Sequence, residues 1–223
     1  MRSDDTDHRA RAGQPVPATL RRRPGPGDVA VDTRSQPYAR FFAIEEQDLR
    51  FRRFDGEMSQ PVNRAAFVSG DAVTVLPYDP SRDRVLLVEQ FRFSPHVRGD
   101  ANPWQLEAIA GRIDAGETPE AAAIREASEE AGLTIGQLLP IASYYPSPGA
   151  VTEYLYSYLA LVDLPDSAAG VFGLHSEAED IRAHLVGFDR LMQLCATGEI
   201  ANGPVLISAL WLARERDGLR GQG

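Results

Sequence analysis

An α/β fold, with helices on both faces of one mixed sheet, is what the order of elements along the chain predicts. Three observations carry that expectation. From residue 71 onward, short apolar runs rich in β-branched residues alternate with helical stretches. One helix with well-marked ends sits mid-chain between Thr118 and Gly132, and another, Pro204 to Arg216, falls near the C-terminus. A separate group of strands comes before all of these and is expected to form a small N-terminal antiparallel sheet of its own.

Residues 1–36 are rich in Arg, Pro, Gly and Asp and offer little for a core, so a disordered N-terminal tail is expected there. Within it, Arg21-Arg22-Arg23 reads as a solvated basic cluster, with an anion-binding patch as the alternative. Residues 37–69 are expected to form the small β domain. Leu49 to Phe54 leads into the turn dipeptide Asp55-Gly56, and the returning arm runs through Met58 and Val62 to Val68. The main domain is expected over 70–216, with a flexible tail at 217–223.

In that domain Asp71 to Pro77 and Arg84 to Phe91 read as paired core strands around the turn Asp79-Pro80-Ser81-Arg82-Asp83. Phe91-Arg92-Phe93 then enters a polar loop, and Trp104 to Ala110 reads as one further strand. Arg92 and Glu107 are polar among apolar neighbours; each is either a strand-edge residue facing solvent or part of a site. Trp104 reads as packing, at the core or its rim. Leu139 to Tyr145 and Val151 to Val162 read as strands joined by Pro146-Ser147-Pro148-Gly149. Tyr154, Tyr156 and Tyr158 share one face of the second, which suggests a wetter face or an interface. A loop, Pro165 to Asp180, precedes a last strand, Ile181 to Phe188, and helices at Asp189 to Thr197 and Pro204 to Arg216. The final helix is expected to present Leu206, Leu210 and Leu212 to the core.

Composition narrows the function classes. With 43% hydrophobic and 25% charged residues in 223, the chain suits a soluble globular protein. No apolar run approaches the roughly 20 residues of a membrane span, and the N-terminus lacks the apolar stretch of a secretory signal. A sole cysteine, Cys195, excludes an intramolecular disulfide and suits a reducing, cytoplasmic setting. Net charge −9 and a pI near 5.0 argue against a general nucleic-acid binder.

The chemistry concentrates in GRIDAGETPEAAAIREASEEAGL, residues 111 to 133. Thr118 suits the N-cap, Pro119 the first helical position and Gly132 the left-handed C-terminal position. At about 100° per residue, Glu126, Glu129 and Glu130 fall within an arc of about 100°. Ala123, Ile124, Ala127 and Ala131 fill the adjoining arc, small enough for the helix to lie close on a sheet. Three crowded carboxylates repel one another unless a cation sits among them, and a hard divalent ion such as Mg²⁺ wants such oxygen ligands. Glu126 and Glu130, one turn apart, can share metal, Glu129 can ligate a further ion, and the Ala110 carbonyl is available beside Gly111. Arg125 can pair with Glu129 or orient loop carboxylates such as Glu117. Read alone, Glu177-Ala178-Glu179 is an exposed acidic loop.

The spacing Gly111, five residues, Glu117, seven residues, Arg125-Glu126, Ala127, one residue, Glu129-Glu130, one residue, Gly132-Leu133 resembles the Nudix box of the Nudix hydrolases. The likeness runs over roughly residues 49–214 and is similar to the bacterial ADP-ribose diphosphatase subfamily. It is carried by RRFDGEMS, VLPYDPSRDRVLLVEQFR, PWQLEAIAG, YPSPGAVTE and EAEDIRAHLV. That resemblance implies a Nudix fold, an α/β/α sandwich, and hydrolysis of the diphosphate bond of ADP-ribose to AMP and ribose 5-phosphate by water attack on phosphorus. It implies Mg²⁺, with Mn²⁺ as the alternative, at about two or three ions per site. The ions would be held by Ala110, Glu126, Glu130 and Glu179. Glu177 would lie in the loop that supplies or assists the catalytic base, with Glu129 or Glu179 as the other candidates. Arg92, Glu107 and Pro148 would bind substrate, Pro148 standing where the subfamily typically has a proline beyond the box. The same resemblance implies a homodimer exchanging N-terminal strands, with residues 37–69 reaching the adenine across the interface. Other nucleoside diphosphate sugars such as GDP-mannose, and a non-catalytic ADP-ribose sensor, remain as alternatives.

Overall fold

The structure is a computed structural model that describes residues 20–173 and 179–221. The described chain forms two compact units, one of residues up to Asp71 with Tyr145–Tyr154, the other of Ala72–Tyr144 with the chain from Leu155 onward.

The first unit is built on a three-stranded antiparallel sheet in the order β1 (Val29–Ala39), β2 (Ala43–Phe51), β3 (Val62–Val68). Strand β1 corrects the expected tail, because residues 29–36 are extended and paired. Its signal was hidden: every residue of β1 is exposed, and polar cross-strand pairs hold it to β2. Thr33 Oγ1 donates to Asp48 at 2.7 Å, and Arg34 and Arg50 pair with Glu45 and Asp32, each at 2.8 Å. Such pairs leave no apolar alternation to read. Asp55-Gly56 makes the anticipated turn, with Gly56 at φ 92°. The outer edge of β3 meets residues 150–152, where Phe67 N donates to the Ala150 carbonyl at 2.8 Å and Thr152 N to the Phe67 carbonyl at 3.0 Å. Residues 151–154, expected as strand, are therefore loop; Ala150 and Val151 donate back to the Ser147 carbonyl in a turn.

The second unit holds a mixed sheet centred on β4 (Ala72–Asp79), all of whose residues are buried. Strand β4 runs parallel to β9 (Leu155–Leu161), whose other edge carries β8 (Gln137–Tyr144). On its opposite side β4 pairs with β5 (Arg84–Phe91) only at Tyr78↔Val85 and Asp79↔Arg84. Beyond that point the two strands part. The stretch 104–110, expected as one strand, breaks at Ala108: β6 (Trp104–Glu107) follows β5, and β7 (Ile109–Arg112) follows β4. Strand β11 (Ile181–Gly187) pairs with the far side of β5, and β10 (Gly170–Phe172) closes that edge.

Alternation assigns the two faces. Leu76, Tyr78, Val85 and Leu87 pack with Leu191 and Leu194 of α3 (Phe188–Thr197) and with Val205, Ala209 and Leu212 of α4 (Gly203–Arg220). The opposite parity, Val73, Val75, Leu86 and Val88, is fully buried on the side of α2 (Pro119–Ala131), which lies on β4 and β7 through Ala122, Ala123, Ala127 and Ala131. Helices on both faces of a mixed sheet make the α/β/α sandwich. Ile124 stays half exposed.

Other expectations change. Leu210 is 63% exposed, and Ser208 and Ala209 take the buried face of α4 instead. Tyr154, Tyr156 and Tyr158 are buried, not wet, and Tyr158 donates to Glu120 of α2 at 3.0 Å. Residues 93–98 form a short helix, α1 (Phe93–Arg98), rather than loop; it buries nothing, so it has no periodic signature. Helix α4 runs past Arg216 to Arg220, where an ion pair with Asp83 at 2.9 Å holds its last turn. Among the described residues no helix is long and apolar enough to cross a membrane.

Candidate active site

The ends of α2 form as its sequence dictates. Thr118 Oγ1 accepts from Ala121 N at 3.2 Å, Pro119 opens the helix, and Gly132 at φ 61° closes it, with Leu133 N donating to the Ala127 carbonyl. These caps fix the phase of the helix on the sheet, and the phase decides which glutamates meet β7.

Glu130 turns inward. It is 3% exposed, and its Oε2 accepts from Ala110 N at 3.2 Å. Burial, reinforced by the charges of Glu126 and Glu179, pushes its carboxyl up to about 8 against the opposing Ala110 hydrogen bond and Arg92. Glu126 lies directly over Gly111: a Cβ on that glycine would stand 1.8 Å from Glu126 Oε1. Its carboxyl is also raised, first by burial and then by Glu129 and Glu179, despite Arg125. Two carboxylates are thus pressed together at the start of the box, where ionising either one is unfavourable.

Arg125 organises the rim. Its guanidinium donates to Glu117 at 3.0 and 3.1 Å, to Glu126 at 2.6 Å, to Glu129 at 3.1 Å and to the Arg112 carbonyl at 2.9 Å. The two roles expected for it are therefore both present. Glu117 in turn accepts from Asp114 N at 3.1 Å, and the Arg125 hydrogen bonds hold its carboxyl below the ordinary range. The Gly-punctuated loop is thereby tied to the helix that follows it.

Arg92, just past the end of β5, turns back to Glu107 of β6, which is mostly buried, while part of the Arg92 side chain stays exposed. Arg92 Nε and Nη2 donate to Glu107 Oε2 at 2.9 and 2.6 Å, and Gln90 approaches the same oxygen at 3.4 Å. Burial opposes the Arg92 charge, but Glu107, then Glu130 and Glu179, favour it more. Gln90 is a neighbour that sequence reasoning passed over; its signal was a polar side chain two positions before Arg92 in an apolar strand. Glu179, just ahead of β11, acts electrostatically on Glu126, Glu130 and Arg92, which draws this distant residue into the same group. Glu177 lies outside the described residues. Pro148 belongs to the first unit, where it lines a cavity of about 750 Å³ with Glu45, Gln47, Arg64, Tyr145 and Thr152.

Among the described residues no group of three His, Cys, Asp or Glu side chains is arranged to hold an ion as it stands. The donor set nevertheless suits a hard divalent cation. It is all oxygen, its negative charge is excess and buried, and Glu126 fills the space a side chain at Gly111 would occupy. Among the described residues, Glu126 accepts through Oε1 and Glu130 through Oε2.

The chain matches the NUDIX domain over residues 68–206. It is 38% identical over 198 residues to an ADP-ribose pyrophosphatase of Escherichia coli (strain K12), covering 89% of this chain and 94% of that one. An ADP-ribose pyrophosphatase of Haemophilus influenzae is 36% identical over 83% of this chain and 86% of its own. A GDP-mannose pyrophosphatase of Enterobacter sp. (strain 638) is 30% identical over 77% and 88%. A solved structure described as an ADP compounds hydrolase shares the fold, with TM-score 0.65 at 22% identity over 90% of this chain and 99% of that one. Nudix hydrolases generally use divalent metal ions, in keeping with the carboxylates gathered between α2 and β7. By its box, its fold and these matches over most of its length, the chain belongs to the Nudix family.

Proposed function

We propose that this protein hydrolyses ADP-ribose to AMP and ribose 5-phosphate, by Mg²⁺-dependent attack of water on a diphosphate phosphorus. The observation that carries the reading is the pair Glu126 and Glu130, the first partly and the second fully buried, set against Gly111 and Ala110 beside Arg92. The relatives named for ADP-ribose match at higher identity than the one named for GDP-mannose, which favours this substrate.

The Ala110 carbonyl, Glu126, Glu130 and Glu179 are the residues that would hold the ions. Bound Mg²⁺ supplies charge neutralisation for the diphosphate and a water of lowered pKa. Arg92, held by its two hydrogen bonds to Glu107, presents its remaining donors to a phosphate or ribose oxygen. Glu177 takes the proton of the attacking water. Glu129 is the weaker candidate for that role, since Arg125 occupies one of its oxygens. Pro148 shapes the nucleotide-binding surface of its own unit, and the enzyme acts as a homodimer whose N-terminal sheet contributes to adenine binding.

AMP release measured with Mg²⁺, with Mn²⁺ and with EDTA tests the reaction; turnover that persists in EDTA sinks it. Side-by-side kcat/KM values for ADP-ribose and GDP-mannose test the substrate. Glu177→Gln is expected to lower kcat by roughly 10²–10⁴ while metal binding persists. Tight ADP-ribose binding without AMP release would instead indicate a sensor, a reading that the full set of box carboxylates disfavours.

A further inference from the structure

Glu179 stands far from the box in sequence, and the fold holds it in place with two residues that carry no polar side chain. Gly173 adopts φ 109°, and a Cβ there would lie 2.9 Å from both the Cβ and the carbonyl oxygen of Glu179. Any side chain at 173 must therefore push the Glu179 backbone away, on top of the conformational strain that a positive φ imposes. Phe172 fixes the other side. Its ring rests on Gly132, 3.4 Å from where a Cβ would stand, and on Gly170, at 3.2 and 3.3 Å. Gly132 thus does two things: it takes the left-handed turn that ends α2, and it leaves a flat seat for the ring. The β10–β11 ladder then ties Phe172 to Ile181, two residues beyond Glu179.

From this geometry we infer that Phe172 and Gly173 are positioning residues that register Glu179 against α2 and thereby set the affinity of the carboxylate site for a divalent cation. The inference rests on the reading of that site given above. A ring seated on a helix-ending glycine and a glycine pressed on the Glu179 backbone both act on the same short stretch. Glu179 in turn bears on Glu126 and Glu130, so an ångström lost at Gly173 is felt among all three carboxylates. Supporting groups of this kind typically change metal affinity by 10–100-fold when altered.

The test uses the full chain, metal-stripped, with Mn²⁺ binding followed by electron paramagnetic resonance in the absence of substrate, and melting in EDTA as the check on folding. Gly173→Ala is expected to weaken Mn²⁺ binding by about tenfold or more. Its kcat should return toward the parent value at high Mg²⁺, with KM for ADP-ribose little changed once metal is saturating. Phe172→Leu keeps apolar bulk but loses the flat ring and leaves the backbone alone, so it carries the same expectation at smaller size if Gly173→Ala does not fold. Unchanged Mn²⁺ affinity in a folded variant overturns the inference. So does a loss of activity that added Mg²⁺ fails to restore. Absence of Mn²⁺ binding by the parent protein would instead overturn the reading of the site itself.

Discussion

At Glu130 the structure sets a buried carboxyl between two other acids, and a pH dependence follows from it. Its ordinary value is 4.5 and its value in the fold is about 8, so between those limits the folded chain holds a proton that the unfolded chain releases. Stability of the metal-free protein contributed by this group is therefore fully present below about pH 4.5, falls as pH rises to about 8, and is flat above. Denaturant melts in EDTA across that interval should show the slope, and Glu130→Gln should reduce it, leaving the smaller part that the raised Glu126 carboxyl contributes. At the same scale the box glutamates were legible, because three of them at helical spacing beside capping residues can face only one way. The Arg92–Glu107 pair was not. Those residues are 15 apart in the chain, and only the pairing of β5 with β6 brings them together.

Among the elements, the β4–β5 turn depends heavily on one side chain. Asp79, 2% exposed, accepts from Ser81 N and Oγ at 2.9 and 2.6 Å, from Arg82 N and Nη1 at 3.1 and 2.6 Å, and from Leu164 N at 3.0 Å. Burial opposes its charge, yet these donors, Ser81 foremost, win and hold the carboxyl below its usual range. Asp79→Ala strands several of them and is expected to cost about 3–5 kcal/mol, read as a lowered urea midpoint with little change in m. Elements with their own end signals were legible: α2 begins and ends where Thr118 and Gly132 say it must. Strand β1 and helix α1 were not, because neither buries an apolar face. The break at Ala108 was also invisible, since one apolar run serves two strands with different partners.

For the whole molecule, the feature that bears on assembly is β1. It is an 11-residue edge strand whose Val29, Val31 and Tyr38 are each more than half exposed. Long exposed edges invite pairing with another chain, which supports the dimer proposed above. Val31→Lys is expected to shift the protein toward monomer in sedimentation equilibrium and to lower activity with it. A parent protein that sediments as a monomer at micromolar concentration would sink that reading. The mixed sheet, its flanking helices and a separate N-terminal sheet could be foreseen from element order, whereas the return of residues 145–154 to the first unit could not, because nothing in that loop marks it as leaving the second unit.

That excursion has a consequence in time. The N-terminal sheet emerges first from the ribosome, but the edge of β3 is finished only by residues 150–152, and Ser69 reaches its Thr152 partner across 83 positions of chain. At ordinary synthesis rates the first unit waits roughly 4–17 s for its last segment. During that interval β3 is an unfinished edge, which is when a chaperone or a second nascent copy has its opportunity.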